Sequence, residues 1–188
     1  EHTHPLRSRD APPLPQQGAL PSMQPIHLSS DRPWAIDRLG QLRIEQGAYL
    51  WRDLLDEGVL VTSGTDSPVE PVNPIANFYA AVTRKTLKGE PETGFEPAQK
   101  LTRMEALYAM TLAAAYAAFE EQDKGSIEVG KLADLTVLNQ DLITGAGGVG
   151  KQEFDLFHRN VCPPITWHIR EVSHPKRHHV SDAGDGDG

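Results

Sequence analysis

The chain has a single cysteine, Cys162, in 188 residues. That excludes an internal disulfide and any cysteine-based zinc cluster. A reducing compartment is thereby permitted, and a cytoplasmic location is the expectation. Aromatic residues are scarce, at 6%, so aliphatic and small side chains must do most of the packing. Nowhere do eighteen apolar residues run together, so the sequence offers no membrane-spanning helix and no membrane partner is expected. Positive charge is also short. With 18 Lys+Arg against 26 Asp+Glu, the net charge is −8, which leaves no cationic face to displace counterions from a nucleic-acid backbone. Nucleic acid is therefore not an expected partner.

Fifteen prolines and sixteen glycines are present and crowd toward the two ends. Residues 1–21 carry five prolines and, taken alone, read as loop or linker. This opening shows no signal-peptide pattern and reads as the interior of a longer gene product. The 38% apolar content supports one modest core with room for a small second one.

Residues 22–27 (SMQPIH) are a short strand candidate. Leu39, Leu42, Ile44, Tyr49, Leu50, Leu54 and Leu55 form an apolar stripe that predicts helix from Arg38 to Glu57, broken near Gly47 and ended by Gly58. The run Val59-Leu60-Val61-Thr62 then stops at Ser63-Gly64-Thr65-Asp66. Nearly continuous apolar runs of this kind suit a strand buried on both faces, as in a parallel sheet. A helix feeding such a strand is half of a β/α repeat, in which functional groups sit at the carboxyl ends of strands. The fold class is therefore α/β. Pro74 to Thr86 reads as helix, and Thr102-Arg103-Met104-Glu105 is a capping box opening an alanine-rich helix that runs to about Glu121. Leu132 to Leu138 reads as a strand, and Ile165 to Arg170 alternates as a half-exposed strand does. Residues 173–188 have the composition of a disordered tail.

Three stretches together resemble the amidohydrolase superfamily, in the branch of formamide-deformylase-like and D-aminoacylase-like enzymes. They are SMQPIHLSSD (22–31) with the helix after it, SGTDSPVEPVNPIANFYAAVTRKT (63–86), and LTRMEALYAMTLAAAYAAFEEQDKGSIEVGKLADLTVL (101–138). The resemblance implies a metal-bearing (β/α)8 barrel with a small β-sandwich built from both chain ends. A whole barrel takes roughly 250 residues, so only its last strands would be present. The implied organisation is residues 1–125 as the C-terminal part of the barrel, 126–172 as part of the sandwich, and 173–188 as tail.

The same resemblance implies hydrolysis of a carbon–nitrogen, non-peptide bond in a small-molecule amide, with a divalent metal, zinc in the first instance. Asp66 would fall at the tip of the eighth strand, where the family's aspartate is both metal ligand and proton shuttle; the plainer reading is an aspartate capping the Ser67-Pro68 turn. His2 would be the sixth-strand metal ligand, because it precedes Met23 by 21 residues, and His4 a loop histidine. His27 would end the seventh strand and contact substrate, or be an ordinary hydrogen-bonded loop histidine. Asp31 either orients His27 or caps the next helix, the cap being favoured. Arg84 reads as a solvated helix arginine, with a substrate carboxylate as its alternative role. Trp34 and Trp51 read as packing residues. The family's first-strand histidine pair, fourth-strand bridging residue and fifth-strand histidine have no counterpart, so the chain alone is expected to be inactive.

Two other function classes compete. Gly145 to Lys151 fits the GxxxxGK part of a phosphate-binding loop, but Gln152 stands where Ser or Thr should hold magnesium, and no strand leads straight into it; a glycine linker is the preferred reading. A non-catalytic remnant acting as an interaction module, as a homo-oligomer or beside a complementary fragment, is the other. The histidine-rich run His174 to His179 reads as solvated rather than metal-binding.

Overall fold

The computed structural model describes residue 14, residues 17–138 and 141–144, and the backbone of residues 157–161. Strands β1 (Ser22–Met23) and β2 (Thr62–Ser63) pair in parallel, with Ser22 opposite Thr62 and Met23 opposite Ser63. The ladder extends on both sides: Thr62 N–H donates to Pro21 O at 3.0 Å and Gly64 N–H to Met23 O at 2.9 Å. Parallel neighbours need a crossover, and here four short helices supply it. These are α1 (His27–Ser30), α2 (Arg32–Leu39), α3 (Gln41–Gly47) and α4 (Trp51–Asp56).

The helical stretch expected from Arg38 to Glu57 breaks at Gly47, as the sequence indicates, and once more at Gly40, so that it is three pieces. Gly40, at φ 80°, separates α2 from α3, and Tyr49, at φ 57°, follows the extended Ala48 and separates α3 from α4. Gly58 closes α4 as the sequence indicates. At φ 74° it donates to Leu55 O, and Val59 N–H reaches back to Leu54 O, both at 2.9 Å. These two bonds satisfy the last carbonyls of the helix and aim Val59 into β2. The first strand is also shorter than expected: it stops at Met23, and His27 opens α1.

Helix α5 (Pro74–Thr83) begins at Asn73, whose side chain accepts from Ile75 N–H, with Pro74 in the first turn. It stops at Thr83, short of the expected Thr86, because Arg84 turns left-handed at φ 55°. Helix α6 (Arg103–Met110) carries the expected capping box between Thr102 and Glu105. The long alanine-rich helix is interrupted at Thr111, and α7 (Leu112–Ala117) follows. Thr111 bonds its hydroxyl to Leu107 O at 2.7 Å and its N–H to Tyr108 O at 3.2 Å. Such back-bonding by a threonine bends helices. Strand β3 (Ala133–Val137) falls where the sequence put it, and pairs antiparallel with β4 (Phe157–Val161). That partner was not foreseen; the expected strand at 165–170 lies outside the described residues.

The core gathers Met23 and Leu28 beside β1, Ile44, Trp51 and Leu54 from the crossover, Val59 and Val61 leading into β2, and Ile75 and Phe78 of α5. Trp51 is a packing residue, as expected, whereas Trp34 is half exposed beside the Arg38 guanidinium. Among the described residues no helix is long and apolar enough to cross a membrane.

Candidate active-site region at the strand ends

Because β1 and β2 run parallel and in register, the residues that leave their carboxyl ends emerge side by side. In open and closed parallel sheets this edge is where ligands bind. After Met23 the chain turns at once: His27 N–H donates to Gln24 O (3.0 Å) and Leu28 N–H to Pro25 O (3.1 Å), which winds His27 into α1 and buries it to 4% exposure. After Ser63 the chain runs through Gly64 and Thr65 to Asp66, which sits at φ 60° and starts a turn closed by Val69 N–H donating to Asp66 O at 2.8 Å. Aspartate tolerates this left-handed conformation better than most residues.

The two loops meet through His27 and Asp66, with Nε2 3.4 Å from Asp66 Oδ2. On the other side of the ring, Nδ1 lies 3.4 Å from Asp31 Oδ2 and 3.6 Å from Glu70 Oε1. Asp66 and Asp31 keep 26% and 30% of their side-chain surface open, so the cluster faces outward from a buried histidine. Asp31 is where the sequence reading needs correction. Its side chain makes no capping bond to α2 and faces His27 instead.

Asn77 of α5 holds the two loops together. Its Oδ1 accepts the N–H of Ile26 at 2.8 Å, next to His27, and its Nδ2 donates to Ser63 Oγ at 2.8 Å, three residues before Asp66. Sequence reasoning missed Asn77 and Glu70. A polar side chain inside the apolar run Ile75 to Val82 was the available signal for Asn77, because a buried amide must find partners. Glu70, in a proline-rich loop, gave none.

Arg84 is neither solvated nor placed for substrate. It is fully buried, with its guanidinium carbon 4.4 Å from the centre of the Trp51 ring. Its Nε donates to Phe95 O (2.5 Å), Nη1 to Tyr49 O (2.9 Å) and Nη2 to Glu96 Oε2 (3.0 Å). Burial lowers its pKa to about 10, against the opposing pull of Glu96. Glu96 also accepts from Arg32 Nη2 at 2.8 Å. Both arginines are thereby committed to fixing the crossover. The Tyr49 hydroxyl is pushed up to about 12, first by burial and then by the Asp31 carboxylate.

His2, His4, the glycine stretch Gly145 to Lys151 and the histidines of the tail lie outside the described residues. Among the described residues no group of three or more His, Cys, Asp or Glu is arranged to hold a metal ion. The described donors therefore do not make a metal site by themselves.

The sequence and fold have known counterparts. Protein LONG AFTER FAR-RED 3 of Arabidopsis thaliana is 34% identical over 139 residues, covering 74% of this chain and 24% of that protein. The N-substituted formamide deformylase of Arthrobacter pascens is 38% identical over 97 residues, covering 52% of this chain and 17% of the enzyme. Among solved structures, an uncharacterized metal-dependent hydrolase from Pyrococcus horikoshii superposes with a TM-score of 0.66 at 27% identity, covering 76% of this chain and 29% of that one. The chain thus spans less than a quarter of the length of either curated relative. The sequence model described as the amidohydrolase family matches residues 1–145, most of the chain, and the protein belongs to that family.

Proposed function

We propose that this chain supplies the closing strands of a (β/α) barrel in a metal-dependent hydrolase that cleaves carbon–nitrogen, non-peptide bonds of a small amide. The observation that carries the reading is the convergence of His27 and Asp66, Nε2 to Oδ2 at 3.4 Å, at the carboxyl ends of two adjacent parallel strands. Strands β3 and β4 would belong to the accompanying β-sandwich.

Amide hydrolysis adds water to a carbonyl and needs one proton carried from that water to the departing nitrogen. An ionised carboxylate at the mouth, open to solvent on one side, is suited to that transfer. Asp66 takes this role, and His27 directs Nε2 at the substrate side. A divalent metal, zinc in the first instance, would draw on Asp66 and on donors outside the described residues, His2 among them. On its own the 188-residue chain is expected to be inactive.

The test is a graft in which residues 22–144 replace their counterpart in the Arthrobacter pascens deformylase, which this chain matches over 97 residues. The graft should hydrolyse N-substituted formamides. Asp66→Asn in it should lower kcat by about 10²–10⁴-fold, the usual worth of a positioned acid–base group, and His27→Asn should raise KM. A graft that folds but stays inactive, or an Asn variant that keeps its kcat, overturns the reading.

A further inference from the structure

We infer that Glu96 is a positioning residue: by pinning Arg32 it holds the single-turn helix α1, and with it His27, in place at the mouth. The inference deepens the reading of His27 as a substrate contact and rests on that reading for its catalytic meaning.

Helix α1 is too short to hold itself. It has four residues and no side-chain cap at Ile26, and one turn of helix fixes several dihedral angles for a single hydrogen bond. Its pose is therefore set by other segments. At the front, Asn77 takes the Ile26 N–H. At the back, Asp31 is helical (φ −96°, ψ −37°). Its N–H donates to His27 O at 2.7 Å and its carbonyl accepts from Ala35 N–H at 2.8 Å, so α1 runs into α2 without a loop. Whatever fixes Arg32, the first residue of α2, fixes the back of α1.

That hold comes from the connection between α5 and α6, residues 84–101, which reaches α1, α2 and α4. Leu87 N–H donates to Ser29 Oγ of α1 at 3.0 Å, and Glu96 Oε1 accepts from Arg32 Nη2 of α2 at 2.8 Å. Gln99 Oε1 accepts the N–H groups of Arg52 and Asp53 of α4 at 3.0 and 3.2 Å. The Glu96 tie is the firmest, because charge-assisted bonds are roughly twice as strong as neutral ones. Its second oxygen is held at 3.0 Å by Arg84, which is itself buried and anchored on Tyr49 O. The Arg32 guanidinium also lies 4.1 Å from the centre of the Phe95 ring, a cation–π contact. Glu96 sits at φ 36°, a left-handed conformation that a residue other than glycine keeps only where its surroundings over-determine it. The loop that carries Asp66 is tied elsewhere, through Ser63 to Asn77. Loss of the pin therefore releases His27 and leaves Asp66 in place.

The experiment is amide hydrogen exchange on the 188-residue chain. In Glu96→Gln, the amides of Ser29 and Asp31, bonded to Ile26 O and His27 O, should exchange about tenfold faster or more. The amide of Ala106 in α6, bonded to Thr102 O, should keep its rate. Unchanged rates in α1, or rates that rise together in α1 and α6, overturn the proposal. Arg32→Met leaves Glu96 paired with Arg84; it should reproduce the local rise, and it carries the test where Glu96→Gln does not fold. In the active graft, Glu96→Gln should raise KM about tenfold, below the roughly 10²-fold cost of a 1 Å misplacement, with kcat within about threefold. In a His27→Asn background it should raise KM no further, because the effect runs through His27. A KM rise that simply adds to that of His27→Asn overturns the proposal. An inactive graft with the local exchange rise intact would sink the hydrolase reading and leave the positioning role standing.

Discussion

Asn77 offers the sharpest test of how the two strand-end loops are held. In Asn77→Ala, the Ile26 N–H loses its acceptor while Ile26 remains buried, and Ser63 Oγ loses its donor. An abandoned buried N–H costs about 1–3 kcal/mol. The second bond ends on a part-buried hydroxyl that can turn to water, so its loss costs about 0.5–1 kcal/mol. Against this, alanine is the better helix former by about 0.5 kcal/mol. The net expectation is a loss of about 1–3.5 kcal/mol. With a urea m-value of about 2 kcal/mol/M for a domain of this size, the unfolding midpoint should fall by about 0.5–2 M with m unchanged. Ser63→Ala should cost about 1 kcal/mol or less, and the double variant should lose less than the sum, because the two share one bond. A loss below about 0.5 kcal/mol in Asn77→Ala, or strict additivity with Ser63→Ala, would refute the idea that this amide ties the loops together.

Three further outcomes follow from the charged groups. Hydrogen bonds from Arg52, and then from the Thr102 cap, hold the Glu105 carboxyl down to about 2. Its folded pKa lies below the unfolded one near 4.5, so its contribution is full above pH ~4.5 and fades as the pH falls toward ~2. After discounting for solvent at this partly open site, the loss is about 1 kcal/mol, and Glu105→Gln should remove this part of the acid dependence of the urea midpoint. Tyr49 should ionise as a separate step near 12 in an alkaline ultraviolet titration, because burial raises it; Tyr49→Phe should abolish that step. Arg84→Met should destabilise the chain by about 3 kcal/mol, the scale of breaking a buried pair, because Glu96 Oε2 and the Phe95 carbonyl lose their donor. A change under 1 kcal/mol by urea denaturation would show that the Glu96 carboxylate and the Phe95 carbonyl find other partners.

Local chemistry in the sequence determined much of the secondary structure. The Thr102–Glu105 capping box, the glycine stop at Gly58, Pro74 in the first turn of α5 and the apolar run into β2 each act within a few residues, so their outcome is written in their own neighbourhood. Asp66 and His27 stand out through the family resemblance of the stretches that carry them, and the apolar run before Asp66 independently points to the strand end where parallel sheets expose their chemistry. What surrounds them depended on contacts between distant segments. Arg84 has the composition of a surface arginine, and only the crossover that brings Tyr49, Trp51 and Glu96 around it makes burial affordable. Asp31 has the local pattern of a cap, yet His27, one turn back, sets its direction. Glu70 and Asn77 acquire their roles only when β1 and β2 lie side by side, because their partners are 43 and 51 residues away in sequence. Capping and turn preferences act over single turns of chain, and the sequence carries them openly; the pairing of buried polar groups is decided by which segments the core brings together, and that required the tertiary structure.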